Sequence, residues 1–313
     1  MNPEGYSQND LPYISIIILE LSTGVFMYLF VIYVIYRDSI KTKALSSSDK
    51  ILLCLGISNM FYVFLMLVGL LDYFCSLGIF SMIHTTYLYL YLLLFTMSSC
   101  GWLSASLGFF YFIKISNFES GFFSWMKNNI SSVFPWLLLG DLLVSLFNSA
   151  LSSLFFIFSP ALSHNNTGSF VSIVSIFSQS RTTFIYSAMA NSVGPFLVLF
   201  ITTLYSVVSL MKHSYRMKKG VQTPSNENLR SFNKVVWRMM NFLLFYGIYY
   251  IVMVIFFFTI ITKMESGFWL SYLLISLFPI VQAVLLVLAN PRLKAAWKDM
   301  FSCLHLRKMS TCM

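Results

Sequence analysis

Seven long apolar runs constrain this chain more than any other feature. They cover Tyr13–Tyr36, Ile51–Leu71, Tyr87–Ile113, Val133–Phe158, Thr183–Met211, Val235–Ile261 and Phe268–Ala289. Each is longer than the roughly 20 residues an α-helix needs to cross the hydrocarbon core of a bilayer. Lipid offers backbone groups no hydrogen-bond partners, so a spanning segment pairs them internally and the runs read as helices. An outer-membrane barrel is excluded, because its strands are segments of about ten residues with alternating polarity. Composition agrees. With 58% hydrophobic and 10% charged residues and a mean hydropathy of +0.77, the chain has too little polar surface for a soluble globule or a disordered polymer. The predicted fold is an all-α membrane protein: a seven-transmembrane helix bundle at 13–289, followed by a short amphipathic helix and tail at 290–313. Pro195 is expected to kink the fifth span.

The basic residues orient the bundle. Lys and Arg favour the cytoplasmic ends of spans, and eighteen of the twenty fall in alternate loops and after the last run, leaving Arg181 and Lys263 opposite. The predicted topology is a multi-pass protein of the plasma membrane with an extracellular tail at 1–12 and a cytoplasmic C-terminus. The net charge of +9 is then a topology signal that suits anionic lipid at the inner leaflet and not nucleic acid. No cleavage pattern follows the first run, so the first helix is expected to be its own insertion signal. A twelve-residue tail is too short to hold a ligand, which places any ligand within the bundle.

The outer loop before Arg181 carries Asn165-Asn166-Thr167, a glycosylation acceptor on the side the charges mark as external. Asn129-Ile130-Ser131 fits the same pattern on the inner side and is expected to stay unmodified. Of five cysteines, Cys75 alone falls in an outer loop, so no outer disulfide is expected. Cys54 and Cys100 lie in spans as small apolar residues, and Cys303 and Cys312 follow the basic segment Arg292–Leu306, where palmitoylation is an open option.

Enzyme chemistry finds no foothold. The histidines His84, His164, His213 and His305 are scattered, and there is no phosphate loop, His-Glu-x-x-His or Cys-x-x-Cys. No cofactor or metal is expected. Seven unequal spans also lack the duplicated halves of a transporter, which stays a minor alternative. Two acids interrupt the spans away from their ends, Glu20 and Asp141. Intramembrane carboxylates mark function or interhelical bonding. For Glu20 a hydrogen bond to a neighbouring helix is preferred over a ligand contact, and for Asp141 an interhelical or snorkelling role.

The third span ends in Trp102, Leu107, Phe110-Tyr111-Phe112, Lys114-Ile115 and Asn117-Phe118. This block resembles the signature of the type 2, or bitter, taste receptors, a family of seven-helix G-protein-coupled receptors. Further matches run along the chain: Glu20 and Gly24, Leu45-Ser46 with Asp49, Leu139-Gly140, Pro195-Phe196, Ser209-Leu210 with His213 and Met217, Lys234, Phe242-Leu243, Tyr246, Tyr249, Pro279, and Asn290-Pro291-Arg292-Leu293-Lys294. The rhodopsin-like marks Asp-Arg-Tyr, Cys-Trp-x-Pro and Asn-Pro-x-x-Tyr are missing. Vomeronasal type 1 pheromone receptors are the competing family, and the Phe-Tyr-Phe-x-Lys-Ile block argues against them.

The resemblance implies a receptor that binds small bitter compounds inside the bundle and activates gustducin or another inhibitory-type heterotrimeric G protein. It implies a pocket formed by Leu90, Leu93, Leu94 and Met97 on the third helix, Tyr249 on the sixth, and Phe268, Tyr272 and Ile275 on the seventh, with Leu70 and Phe74 closing the second-helix side. It places G-protein coupling at Tyr111, Lys114, His213, Met217 and Lys234. Departures from the family pattern matter too. Tyr28 and Asn59 stand where the family carries an interior Asn and Arg, leaving Glu20 without a cationic partner and expected to be a neutral, hydrogen-bonded carboxyl. Leu93 and Met97 replace a Trp and an Asn, which makes the pocket floor softer and suits broad tuning. Gln282 and Ala283 replace a His and a Ser.

Overall fold

The computed structural model describes residues 11–43, 45–75, 77–79, 82–115, 121–157, 181–219, 226–262 and 265–310. Among the described residues the chain forms nine helices: α1 Leu11–Thr42, α2 Ser47–Cys75, α3 Ile83–Ile115, α4 Phe122–Asn128, α5 Ile130–Ile157, α6 Arg181–Lys219, α7 Asn226–Thr262, α8 Glu265–Ala289 and α9 Pro291–Ser310. Six of them, α1, α2, α3, α5, α6 and α8, are long and apolar enough to cross a membrane. The shorter apolar stretch Met240–Phe256 of α7 supplies the seventh. The seven-helix bundle expected from the apolar runs is the fold observed. Helix α6 runs continuously through Pro195. The short helix α4, whose Met126 is buried, was not anticipated from the sequence. The segment expected to form an amphipathic helix is α9.

Local chemistry sets several helix ends. Ser46 caps α2: its Oγ accepts a hydrogen bond from the Asp49 amide at 3.3 Å and donates to Asp49 Oδ2 at 2.7 Å. This satisfies one of the amides that a helix start leaves without a partner. Asn290 separates α8 from α9. Its Oδ1 accepts from the Arg292 amide at 3.0 Å, and Pro291 takes the first helical position, where the amide it lacks would have gone unpaired. The sequence Asn-Pro therefore ends one helix and starts the next within a single residue.

The bundle is built around α3, which packs against α2, α5 and α6. Helix α1 lies between α2 and α8, α8 contacts α7, α7 contacts α6, and α9 folds back against α8 and α1. The largest core joins Ile17, Tyr28, Val31, Leu55, Val63, Leu103, Phe134 and Leu286. The outer surface is apolar as well, with Trp136 75%, Leu19 68% and Phe147 67% exposed. A surface of this kind belongs in lipid, since a water-soluble protein does not leave so many large apolar side chains uncovered. Buried hydroxyls obey the same solvent. Thr96, Ser99, Ser145, Ser149 and Ser206 each donate to a carbonyl one turn back on their own helix, so the hydroxyl is satisfied without a partner helix.

Carboxylates supply three of the polar contacts between helices. Ser106 of α3 donates to Asp141 Oδ2 of α5 at 2.5 Å. Ser276 of α8 donates to Glu20 Oε2 of α1 at 2.6 Å. At the basic end of the bundle, Arg292 of α9 pairs with Asp49 of α2 at 3.0 Å. Glu20 thus has an interhelical hydrogen bond and Asp141 a partner on α3.

Candidate functional site

The site begins with small residues on α3. A Cβ on Gly101 would lie 3.3 Å from Pro195 Cβ, and one on Gly108 only 2.7 Å from Leu199 Cδ1. The absence of side chains there lets α6 approach α3 closely, as small residues do between membrane helices. The rigid ring of Pro195 then fills the contact opposite Gly101.

Beside this seam, α3, α6, α7 and α8 enclose a cleft of about 60 Å³, room for a few water molecules on a measure where one water needs roughly 10–15 Å³. Its wall is aromatic. Phe196 stacks on Tyr250 with ring centroids 4.8 Å apart, and Tyr249 stacks on Phe278 at 3.6 Å. Leu94 and Met97 of α3 and Leu199 of α6 add aliphatic and thioether surface. Asn191 and Ser192 supply the polar edge; Asn191 Nδ2 donates to Ser152 Oγ of α5 at 3.1 Å, and Ser192 Oγ lies 3.6 Å from Met253 Sδ.

One lining residue, Tyr246, ties the cleft to a hydrogen-bonded junction of three helices. Tyr246 of α7 donates to Ser104 Oγ of α3 at 2.5 Å, and Gln282 Nε2 of α8 donates to Tyr246 Oη at 2.9 Å and to Ser104 Oγ at 3.2 Å. Ser104 passes its own proton to the Cys100 carbonyl at 2.6 Å. Gln282 is fully buried, and its Oε1 has no hydrogen-bond partner among the described residues. A ligand that moved Tyr246 would disturb α3, α7 and α8 together.

Of the residues expected to bind ligand, Leu94, Met97 and Tyr249 line this cleft. Ile275 packs in a cluster with Leu94 and Met253 just outside it. Leu70 and Leu90 are buried, and Leu70 belongs to the large core, with Leu93 and Tyr272 packed against that core. Tyr272 Oη also lies 3.8 Å from Met66 Sδ on α2. These four residues are not in the lining of the cleft. The side chains of Phe74 and Phe268 lie outside the described residues, as does Asn165. Asn59 is buried and bonds back to the Leu55 carbonyl at 2.9 Å, while Tyr28 reaches across to the Pro279 carbonyl at 2.7 Å.

Sequence reasoning passed over the α6 contribution, Asn191, Ser192, Pro195 and Phe196, together with Tyr250 and Phe278. Asn191, the one Asn of the run Thr183–Met211, was the available signal. At the basic end, Tyr111 sits at the last turns of α3 beside Phe110, with ring centroids 5.8 Å apart, and Lys114 Nζ lies 5.7 Å from the Phe110 ring centre. His213 and Met217 are on the last turns of α6 and Lys234 near the start of α7, but their side chains lie outside the described residues.

A bundle of seven apolar helices, with a central third helix and an apolar cleft within it, defines a multi-pass membrane protein of the seven-helix class. The model of the family described as taste receptor protein (TAS2R) matches residues 6–305. Taste receptor type 2 member 39 of Rattus norvegicus is 30% identical, with 98% of each chain covered. Taste receptor type 2 member 40 of Gallus gallus is 27% identical over 82% of this chain and 83% of its own. Member 4 of Homo sapiens is 26% identical over 88% and 91%. The chain belongs to the taste receptor type 2 family, the bitter taste G-protein-coupled receptors, and is not an enzyme. Membership decides against the vomeronasal and transporter alternatives.

Proposed function

We propose that this receptor admits small, largely apolar bitter compounds to the cleft between α3, α6, α7 and α8, and that their binding shifts an inactive–active equilibrium read by a gustducin-like G protein. The observation that carries the reading is the cleft itself: an apolar, aromatic cavity tied through Tyr246 to the Ser104–Tyr246–Gln282 junction. A ligand moves an equilibrium only by binding one state better than the other, and a junction linking three helices offers two such states. In this reading the basic end is cytoplasmic, Asn165 is extracellular and glycosylated, and Tyr111, Lys114, His213, Met217 and Lys234 flank the G-protein cleft. The proposed division of the chain is a tail at 1–12, a receptor domain at 13–289 and a cytoplasmic segment at 290–313. Leu70, Phe74, Leu90, Leu93, Phe268 and Tyr272 are assigned to the approach above the cleft or to its support.

The test is intracellular calcium in cells expressing the chain with a gustducin-tailed promiscuous α subunit, challenged with a broad panel of bitter compounds. The expected outcome is a receptor-dependent response that Tyr249→Ala weakens and that His213→Ala abolishes at unchanged surface expression. Silence across the panel with the receptor demonstrably at the surface rejects the proposal.

A further inference from the structure

The cleft is built without charge. Among its described lining residues there is no Asp, Glu, Lys, Arg or His. The two nearby intramembrane carboxylates are engaged elsewhere, Glu20 with Ser276 and Asp141 with Ser106, and neither is in the lining. A cation entering this space would lose its hydration with no counter-ion to replace it, and desolvation of an unpaired charge is the most expensive polar burial there is. Stacked aromatic faces offset part of that cost but attract a cation by far less than a carboxylate would.

One polar group in the cleft is distinctive. Ser98 lines it, and its Oγ is buried with no hydrogen-bond partner among the described residues. The contrast with its neighbours is sharp: Thr96 and Ser99 donate to the Leu92 and Phe95 carbonyls one turn back at 2.9 and 2.8 Å, and Ser104 to Cys100 at 2.6 Å. A serine inside a helix has such a carbonyl within reach as a matter of course. Ser98 faces α6 across the space that holds Asn191 and Ser192, so its hydroxyl is a donor held in reserve at the edge of an aromatic slot.

From this the geometry points to the ligand class: an uncharged two-ring aromatic compound bearing a hydrogen-bond acceptor, its rings between the Phe196–Tyr250 and Tyr249–Phe278 pairs and its acceptor taking a hydrogen bond from the Ser98 hydroxyl. The inference rests on the reading of the cleft as the agonist site, and it adds which compounds that site prefers. Buried polar groups discriminate more strongly than apolar walls, because a ligand without the matching group leaves them unpaired.

Three diphenyl compounds of similar size test it: benzophenone, with a carbonyl acceptor; diphenylmethane, without one; and benzhydrylamine, a cation at neutral pH. Thermal stabilisation of the purified full-length receptor is measured against concentration for each. The expected order of apparent affinity is benzophenone above diphenylmethane above benzhydrylamine. Ser98→Ala is expected to weaken benzophenone about three- to tenfold, the scale of one net hydrogen bond, while leaving diphenylmethane within twofold. Ser98→Thr, which keeps the hydroxyl, restores the preference. Equal or tighter binding of the amine, an unchanged ketone preference in Ser98→Ala, or no binding by any of the three overturns the inference. Failure here is distinguishable from failure of the receptor reading: a receptor that answers the calcium panel only to cationic compounds keeps its function and loses this selectivity, whereas a receptor silent to the whole panel loses the function itself.

Discussion

The two sides of the bundle are packed by different rules. Around α1, α2, α8 and α9, one continuous core runs from Ile17 through Tyr28, Leu55 and Val63 to Leu286 and Leu293. Edge-on contact of Phe30 with Trp297, centroids 5.0 Å apart, joins α9 to it. Between α3, α6, α7 and the facing side of α8 the described buried residues instead form small separate groups, Leu94 with Met253 and Ile275, and Ala105 with Leu199, Tyr246 and Phe278. The cleft lies against both groups. A binding site needs space that close packing would otherwise remove, so the molecule keeps one side as a framework and leaves the other incompletely filled. Stability and ligand response are expected to separate along this line.

The strongest way to break that division is paired truncation. Tyr28→Ala deletes a fully buried ring and its bond to the Pro279 carbonyl and is expected to cost about 3–5 kcal/mol, the range for large aromatic-to-alanine changes in a core. The readout is the thermal midpoint of the solubilised receptor together with surface expression. Tyr250→Ala removes a ring of the same size from the cleft wall and is expected to lower the midpoint by less than half as much while shifting agonist potency. Equal midpoints would erase the distinction.

Glycine substitutions sharpen it. A Cβ on Gly69 would collide with the Tyr89 hydroxyl and ring, so Gly69→Ala is expected to destabilise by about 1–3 kcal/mol, with Tyr89→Phe recovering part. Gly247→Ala meets nothing within 4 Å and is expected to leave the midpoint unchanged or slightly raised, since alanine favours helix by about 1 kcal/mol over glycine. A smaller effect, about 1 kcal/mol, is expected of Ser46→Ala, which removes the α2 cap and one support of Asp49 where Arg292 holds it. Met97→Leu conserves volume and is expected to cost less than about 1.5 kcal/mol. Its signature is a reordering of potencies across an agonist panel, because a stiffer side chain replaces one that repacks around different shapes. An unaltered potency order would place Met97 in the framework instead.

Much of the architecture was readable in advance. The apolar runs located every spanning helix, and the Phe-Tyr-Phe-x-Lys-Ile block pointed to the family that the comparisons establish. The cleft was readable only in part. Leu94, Met97 and Tyr249 line it, but Leu70, Leu90, Leu93 and Tyr272 pack with other side chains beside it, and the α6 residues were passed over. Helical spacing places Leu90, Leu93, Leu94 and Met97 on neighbouring faces of α3, and the close approach of α6 at Gly101 and Gly108 picks out which of those faces borders the space.

The sequence by itself determined that this chain spans a membrane seven times, because segment length and the absence of charge are properties of each run alone. The tertiary structure decided which face of each helix is interior. In water an apolar stripe marks the buried face, but lipid is as apolar as leucine, so composition is silent about which residues meet lipid and which meet a neighbouring helix. Trp136 stands 75% exposed while Tyr28 is fully buried, both aromatic residues within spanning runs, and only the packing of α1 against α8 and the outward turn of α5 separates them. The same holds for polar groups: Ser98 and Ser104 differ by six positions on one helix, and it is Ser104, which already donates to its own helix, that Tyr246 and Gln282 reach from distant parts of the chain.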